Sequence, residues 1–351
     1  MTLKNLKSVQ KTLGLLLMVF SITMLTPVAV ALIYQEQNIA PFLYSFGATF
    51  FFGCLLWLPS QKASAEIRLR EGFMIVVLFW VVLSSFGAMP FFFLLNISFT
   101  NAIFESTSGL TTTGATILSG LDDLPRSILF YRQQLQWLGG LGIVVLAVAL
   151  LPILGIGGMQ MYRAESSAIR ETKFTPRQSE TAKALGTIYL LLTLLCAFCY
   201  KLAGMDGFDA ICHAFTTVAI GGFSTHDANF GFFGSYSAVY WVASVFMFLA
   251  GINFSLHFFA WKNKSFAGYI KNSEFKTYSA LMLVAVLIVL GTLFFSANTS
   301  NTQSGVTETL FQVVSIGTTT GFTTANYGTW PLIVPFFLLL FSLVGGCVGS
   351  T

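Results

Sequence analysis

One pattern recurs three times, each copy closing on glycine: Asn101-Ala-Ile-Phe-Glu-Ser-Thr-Ser-Gly-Leu-Thr-Thr-Thr-Gly114, Asp209-Ala-Ile-Cys-His-Ala-Phe-Thr-Thr-Val-Ala-Ile-Gly-Gly222 and Glu308-Thr-Leu-Phe-Gln-Val-Val-Ser-Ile-Gly-Thr-Thr-Thr-Gly321. The copies lie roughly a hundred residues apart, the period of a repeated structural unit. Each opens on Asn, Asp or Glu, side chains suited to a helix N-terminus. Six residues before each glycine stands a small hydroxyl (Ser108, Thr216, Ser315), and two after it another (Thr116, Ser224, Thr323). The pattern predicts a short helix of about 10–12 residues, some 15–18 Å at 1.5 Å per residue, followed by a glycine-punctuated loop. Such a helix cannot cross a hydrocarbon core of about 30 Å. It must enter and turn back.

The chain can supply the membrane this requires. Of its 351 residues 55% are hydrophobic and only 9% charged, with mean hydropathy +0.76, more apolar surface than a soluble domain can hide. An all-α polytopic membrane protein is expected. The first apolar stretch is too long and too poorly flanked for a cleaved leader and reads as an anchor. The five cysteines (54, 196, 199, 212, 347) lie in apolar stretches and suggest neither a metal site nor a disulfide framework.

In order, an N-terminal two-helix hairpin and its linker occupy 1–71, with spans over Thr12–Ile33, where Pro27 is expected to kink the helix, and about Pro41–Leu58. Three units of outer helix, re-entrant helix and loop, and inner helix then fill 72–183, 184–277 and 278–351. Outer helices are expected at Gly72–Leu95, Ala184–Leu202 and Tyr278–Phe295. Inner helices are expected within Gln133–Tyr162, at Tyr236–Trp261 and from Trp330. The Gly139-Gly140-Leu-Gly142 patch permits close helix contact. Fifteen of the eighteen Lys/Arg fall in the N-terminus and the three linkers preceding the units; Arg126, Arg132 and Lys201 are the rest. The positive-inside rule puts those four segments, and so the N-terminus, in the cytoplasm. Every unit then starts and ends inside, so the repeats are parallel around one central ion pathway.

Loop backbone at membrane depth is tolerated where it lines a hydrated path. Thr111–Gly114 (with Thr112 and Thr113), Ala219–Gly222 (with Ile220 and Gly221) and Thr318–Gly321 (with Thr319 and Thr320) can turn carbonyl oxygens inward, replacing the hydration shell of a monovalent cation. Metal binding is expected through these carbonyls only. Glu36, Glu105, Asp122, Asp123, Asp206, Asp209, Asp227 and Glu308 form an acidic excess at the outer mouth that concentrates cations; Glu105 and Glu308 serve equally well as helix braces. His213 reads as a packing or hydrogen-bonding residue, Asn253 and His257 as neighbours on one inner helix, and Arg132 as an anchor at the outer interface. No helix carries the ligand or carboxylate–histidine cluster of a membrane enzyme. The alternative is a cation-coupled secondary transporter of another broken-helix fold, which predicts inverted repeats and a mid-membrane ionisable group.

The stretches TSGLTTTGAT (107–116), YRQQLQWLGGLGIVVLAVALLP (131–152), GGMQMYRAE (157–165), AIGGFSTHD (219–227), AGINFSLHF (250–258) and SIGTTTGFTTANYG (315–328) closely resemble the Trk/Ktr/HKT superfamily of potassium transporters, in particular its Trk-type membrane subunit. The resemblance implies the membrane-embedded, ion-conducting subunit of a bacterial inner-membrane potassium uptake system, a homodimer gated by cytosolic nucleotide-binding (TrkA-like) subunits. No covalently bound cofactor is implied; potassium is the transported ligand. Gly114 at the first loop's key position goes with potassium preference. Gly345, Gly346, Gly349, Ser350 and Thr351 resemble the glycine-rich break that gates the path under the filter. The resemblance also implies four units where three are present, so the chain is expected to be C-terminally truncated and not to conduct selectively alone.

Overall fold

The computed structural model describes residues 3–63, 69–154, 178–234, 237–296, 302–324 and 327–351, and within these all regular structure is helical. Among the described residues five helices are long and apolar enough to cross a membrane: Leu6–Ile33, Ala40–Ser60, Glu71–Leu95, Ala182–Leu202 and Ser273–Phe295. A sixth span is the bent pair Ser237–Ala250 and Phe254–Asn263. The chain divides into two compact units.

The first unit comprises residues up to Thr111, Ala115–Leu135 and Leu150–Glu171. Its helices are α1 (Leu3–Thr23), α2 (Thr26–Ile33), α3 (Ala40–Trp57), α4 (Leu69–Gly87), α5 (Met89–Leu95), α6 (Phe99–Leu110) and the start of α7 (Arg126–Leu154). α1 crosses α3 at Gly14 and Gly53. A Cβ on Gly14 would sit 2.7 Å from the Gly53 carbonyl oxygen, so only glycine allows this approach. The expected kink is a break between Thr23 and Thr26, because Pro27 cannot donate to the preceding turn. The groups freed there are taken by Gln134, whose Nε2 donates to the Thr23 carbonyl (3.0 Å) and whose Oε1 accepts from Thr26 Oγ1 (2.7 Å). The outer helix Gly72–Leu95 is likewise broken, ahead of Pro90.

The second unit comprises Thr112–Gly114, Gln136–Ala149 and Thr172–Thr351. It holds α8 (Gln178–Leu202), α9 (Gly207–Val218), α10 (Ser237–Ala250), α11 (Phe254–Asn263), α12 (Ala267–Lys271), α13 (Ser273–Phe295), α14 (Thr302–Gly317) and α15 (Ile333–Phe341). The continuous inner helix expected over Tyr236–Trp261 is instead bent by 91° at Gly251–Asn253. Asn253 therefore does not share a helix face with His257: its Oδ1 caps α11, accepting from Ser255 N (2.9 Å). The carbonyls exposed by the bend are taken up by Tyr278, whose hydroxyl donates to Phe248 (3.2 Å), and His257, whose Nε2 donates to Leu249 (3.0 Å). The residues of the first inner helix from Gly155 to Tyr162, and the polar segment from Arg163, lie outside the described residues.

Candidate functional site

Each short helix starts earlier than the repeat suggested. Ser98 caps α6, accepting from Asn101 N (3.2 Å), and Asp206 caps α9, accepting from Asp209 N (2.6 Å). Asn101 and Asp209 are thus third in their helices rather than first. Glu308 lies inside α14, which at 16 residues is longer than its counterparts yet at about 24 Å still too short to span.

All three helices end alike. The residue two before the loop glycine is left-handed, with φ +55° at Thr112, +45° at Ile220 and +64° at Thr319. In the second and third copies the next amide donates back to the hydroxyl residue six before the glycine: Gly221 N to the Thr216 carbonyl and Thr320 N to that of Ser315, both 2.8 Å. This is a left-handed helix cap, normally a glycine position, held three times by a β-branched residue at a cost of about 1–3 kcal/mol each. The glycines are also left-handed, with φ +78°, +81° and +82°. Each loop thus carries two left-handed residues, the second a glycine, with one residue between them.

Within the second unit the loops touch. A Cβ on Gly114 would run into the Gly221 carbonyl oxygen, and one on Gly222 into that of Thr320. One on Gly321 would meet nothing within 4 Å. Gln136 grips the second loop, its Nε2 donating to the Gly221 carbonyl (2.5 Å) and its Oε1 accepting from Phe223 N (3.1 Å). Asn229, itself left-handed, joins two loops: Oδ1 accepts from Thr323 N (3.2 Å), and Nδ2 donates to Gly222 O (3.4 Å).

A matched model of the family described as TrkH, cation transport protein, covers residues 38–351. The Trk system potassium uptake protein TrkH of Vibrio parahaemolyticus is 49% identical over 98% of this chain and 72% of its own length. That of Escherichia coli K12 is 48% identical over 99% and 72%. The crystal structure of the potassium transporter TrkH from Vibrio parahaemolyticus superposes with a TM-score of 0.91 at 47% identity, over 98% of this chain and 71% of that one.

The chain belongs to the TrkH cation transport protein family.

It is thus a multi-pass membrane transport protein, and its loops carry a second regularity that sequence reading missed. Nine residues before each loop glycine (105 to 114, 213 to 222, 312 to 321) a fully buried polar side chain reaches from the short helix to the ascending limb. Glu105 accepts from Thr116 Oγ1 (2.9 Å) and Ile117 N (3.2 Å). His213 Nε2 meets Ser224 Oγ at 3.0 Å, while its Nδ1 donates to the Asp209 carbonyl at 2.9 Å. Gln312 Oε1 accepts from Thr324 N (3.3 Å). In the first two copies the brace meets the patterned hydroxyl, Thr116 or Ser224, and in the third it meets the backbone of Thr324 instead; the braces went unseen because the three copies use a carboxylate, an imidazole and an amide.

Arg132, expected to anchor a helix end, is engaged inside the protein. It is buried, and its Nε lies 2.8 Å from Glu105. Removing either partner would strand a charge, at about 3–5 kcal/mol.

Four of the eight acids expected at the outer mouth are already engaged, two at helix ends and two on the loops. Glu36 caps α7, accepting from Arg126 N at 2.6 Å. Glu105 and Asp206 are committed as above. Asp209 accepts from Thr225 Oγ1 (2.8 Å) and pairs with His226 (3.1 Å). Burial alone would push the Asp209 carboxyl up; the His226 hydrogen bond, attraction to the imidazoles and the Thr225 bond outweigh it and hold it below the ordinary value. Asp122, Asp123 and Asp227 are exposed, and Glu308 is half-buried, its carboxyl pushed up by that burial.

The terminal glycines dock onto the bend at Gly251. Cys347 N donates to the Gly251 carbonyl (2.8 Å), Phe254 N to that of Gly349 (3.0 Å), and Val348 N to Glu274 (2.6 Å). Gly345 and Gly349 are left-handed. Thr351 Oγ1 donates to the carbonyl of Val218, immediately before the second loop (2.9 Å).

Proposed function

We propose that the chain is the ion-conducting membrane subunit of a potassium uptake system and that potassium passes the carbonyls of Thr111–Gly114, Ala219–Gly222 and Thr318–Gly321. The observation that carries this reading is the left-handed geometry repeated at the same two positions of all three loops, the first held each time by a β-branched residue, Thr112, Ile220 or Thr319, that ordinarily avoids it. The potassium uptake proteins named above, nearly half identical, supply the ion. Among these carbonyls Gly221's already accepts from Gln136, and Gly222's, more weakly, from Asn229.

Gly345–Thr351 acts as the gate, Gly114 favours potassium, and the repeats divide at 72, 184 and 278. The N-terminus faces the cytoplasm of a bacterial inner membrane, as the Lys/Arg distribution supports. The working assembly is a homodimer with cytosolic nucleotide-binding subunits on its inner face.

The test is uptake of radioactive rubidium into proteoliposomes holding this chain and, in parallel, the chain joined to a fourth loop-bearing repeat. Uptake competed far better by potassium than by sodium supports the reading. Folded protein of both kinds that carries no rubidium, or that sodium blocks as well as potassium does, would overturn it.

A further inference from the structure

We propose that the residue nine positions before each loop glycine (Glu105, His213, Gln312) is a positioning residue for cation discrimination, holding its loop open at the size of the larger cation. The inference rests on the loops being the cation site. Each side chain is buried, and each bonds the limb that climbs away from the glycine. The loop between these anchors carries two left-handed residues, one of them β-branched, and such a backbone relaxes unless its surroundings over-determine it. To coordinate a smaller cation the carbonyls must close inward and draw the ascending limb with them. The brace resists that closure, and so charges the smaller ion for it.

The three braces differ in strength. Glu105 has several acceptor contacts and the Arg132 ion pair behind it. His213 is fixed through both ring nitrogens. Gln312 holds the Thr324 amide at 3.3 Å. The second and third braces, with the loops they hold, lie within one compact unit and are the ones to test.

The experiment is thermal unfolding of the purified chain in rising KCl or NaCl, with choline chloride holding ionic strength, read as the ratio of sodium to potassium concentrations giving half-maximal stabilisation. His213→Phe keeps an aromatic ring among Phe230 and Phe233, both 5.2 Å from the imidazole centroid, and removes its hydrogen bonds. Gln312→Leu keeps bulk and removes the acceptor. Each is expected to narrow the ratio by about fivefold, the equilibrium worth of one hydrogen bond. Gln312→Glu, which restores an acceptor for Thr324 N, is expected to return it toward the parent value.

Lower melting temperatures in every salt with an unchanged ratio would make the braces structural only and overturn the proposal. Where His213→Phe does not fold, Ser224→Ala removes the partner hydroxyl alone and must narrow the ratio likewise. A parent without potassium preference both alone and joined to a fourth loop-bearing repeat would fail before any substitution, and that result overturns the underlying reading of the loops rather than the braces alone.

Discussion

The residues that matter most in the loops are those whose backbone departs from what their side chains prefer. Thr112, Ile220 and Thr319 hold a left-handed conformation that β-branched residues avoid, and the glycines after them are needed for more than φ. Gly222 abuts the Thr320 carbonyl, whereas Gly321, with nearly the same φ, faces open space. Gly222→Ala therefore adds a steric collision to the conformational penalty, and Gly321→Ala adds the penalty alone. Thermal unfolding is expected to place Gly222→Ala below Gly321→Ala, by about 1–3 kcal/mol if overpacking follows its usual scale; equal losses would contradict this contact.

Glu308 gives a residue-scale prediction in pH. Burial raises its carboxyl pKa, so the folded state keeps the proton more tightly than the unfolded chain. Stability then falls as pH rises through the raised value. Glu308→Gln should be more heat-stable than the parent at pH 7 and no different at about pH 4.

At the scale of elements, what could be read in the sequence divides by cause. Spans, short helices and loops were legible because hydropathy and the repeated glycine report them directly. Two helix starts were set two residues late because Asn101 and Asp209 matched across the copies, while the capping residues, Ser98 and Asp206, lie just ahead of the aligned stretch. The 91° bend at Gly251 escaped notice because Ala250-Gly-Ile-Asn253 is apolar enough to continue a span. The freed carbonyls of Phe248, Leu249 and Gly251 are met by donors that the stretch itself does not contain, Tyr278, His257 and the Cys347 amide. Gln136 and Asn229 share that character, each acting across the fold; the three braces are local, and only their differing chemistry hid them.

The docked glycine segment yields a prediction of its own. Glu274 accepts from Val348 N at 2.6 Å beside buried Cys347. Glu274→Ala should speed maleimide labelling of Cys347 by about fivefold, one hydrogen bond's worth, with the other four cysteines replaced by alanine. An unchanged rate would mean that Glu274 does not hold the segment.

For the whole molecule, the helices build a membrane scaffold whose regular parts serve three short irregular ones. Broken spans are affordable because Gln134, Tyr278 and His257 satisfy the exposed carbonyls, as backbone at membrane depth demands. We propose that these loops hold potassium through their carbonyls. This is tested most directly by an anomalous difference map from crystals of the protein grown in rubidium chloride. A rubidium peak is expected among Thr112–Gly114, Ala219–Gly222 and Thr318–Gly321, lost when potassium replaces rubidium and surviving in excess sodium. Ordered loops with no peak between them, or a peak that sodium removes as readily as potassium, would contradict it.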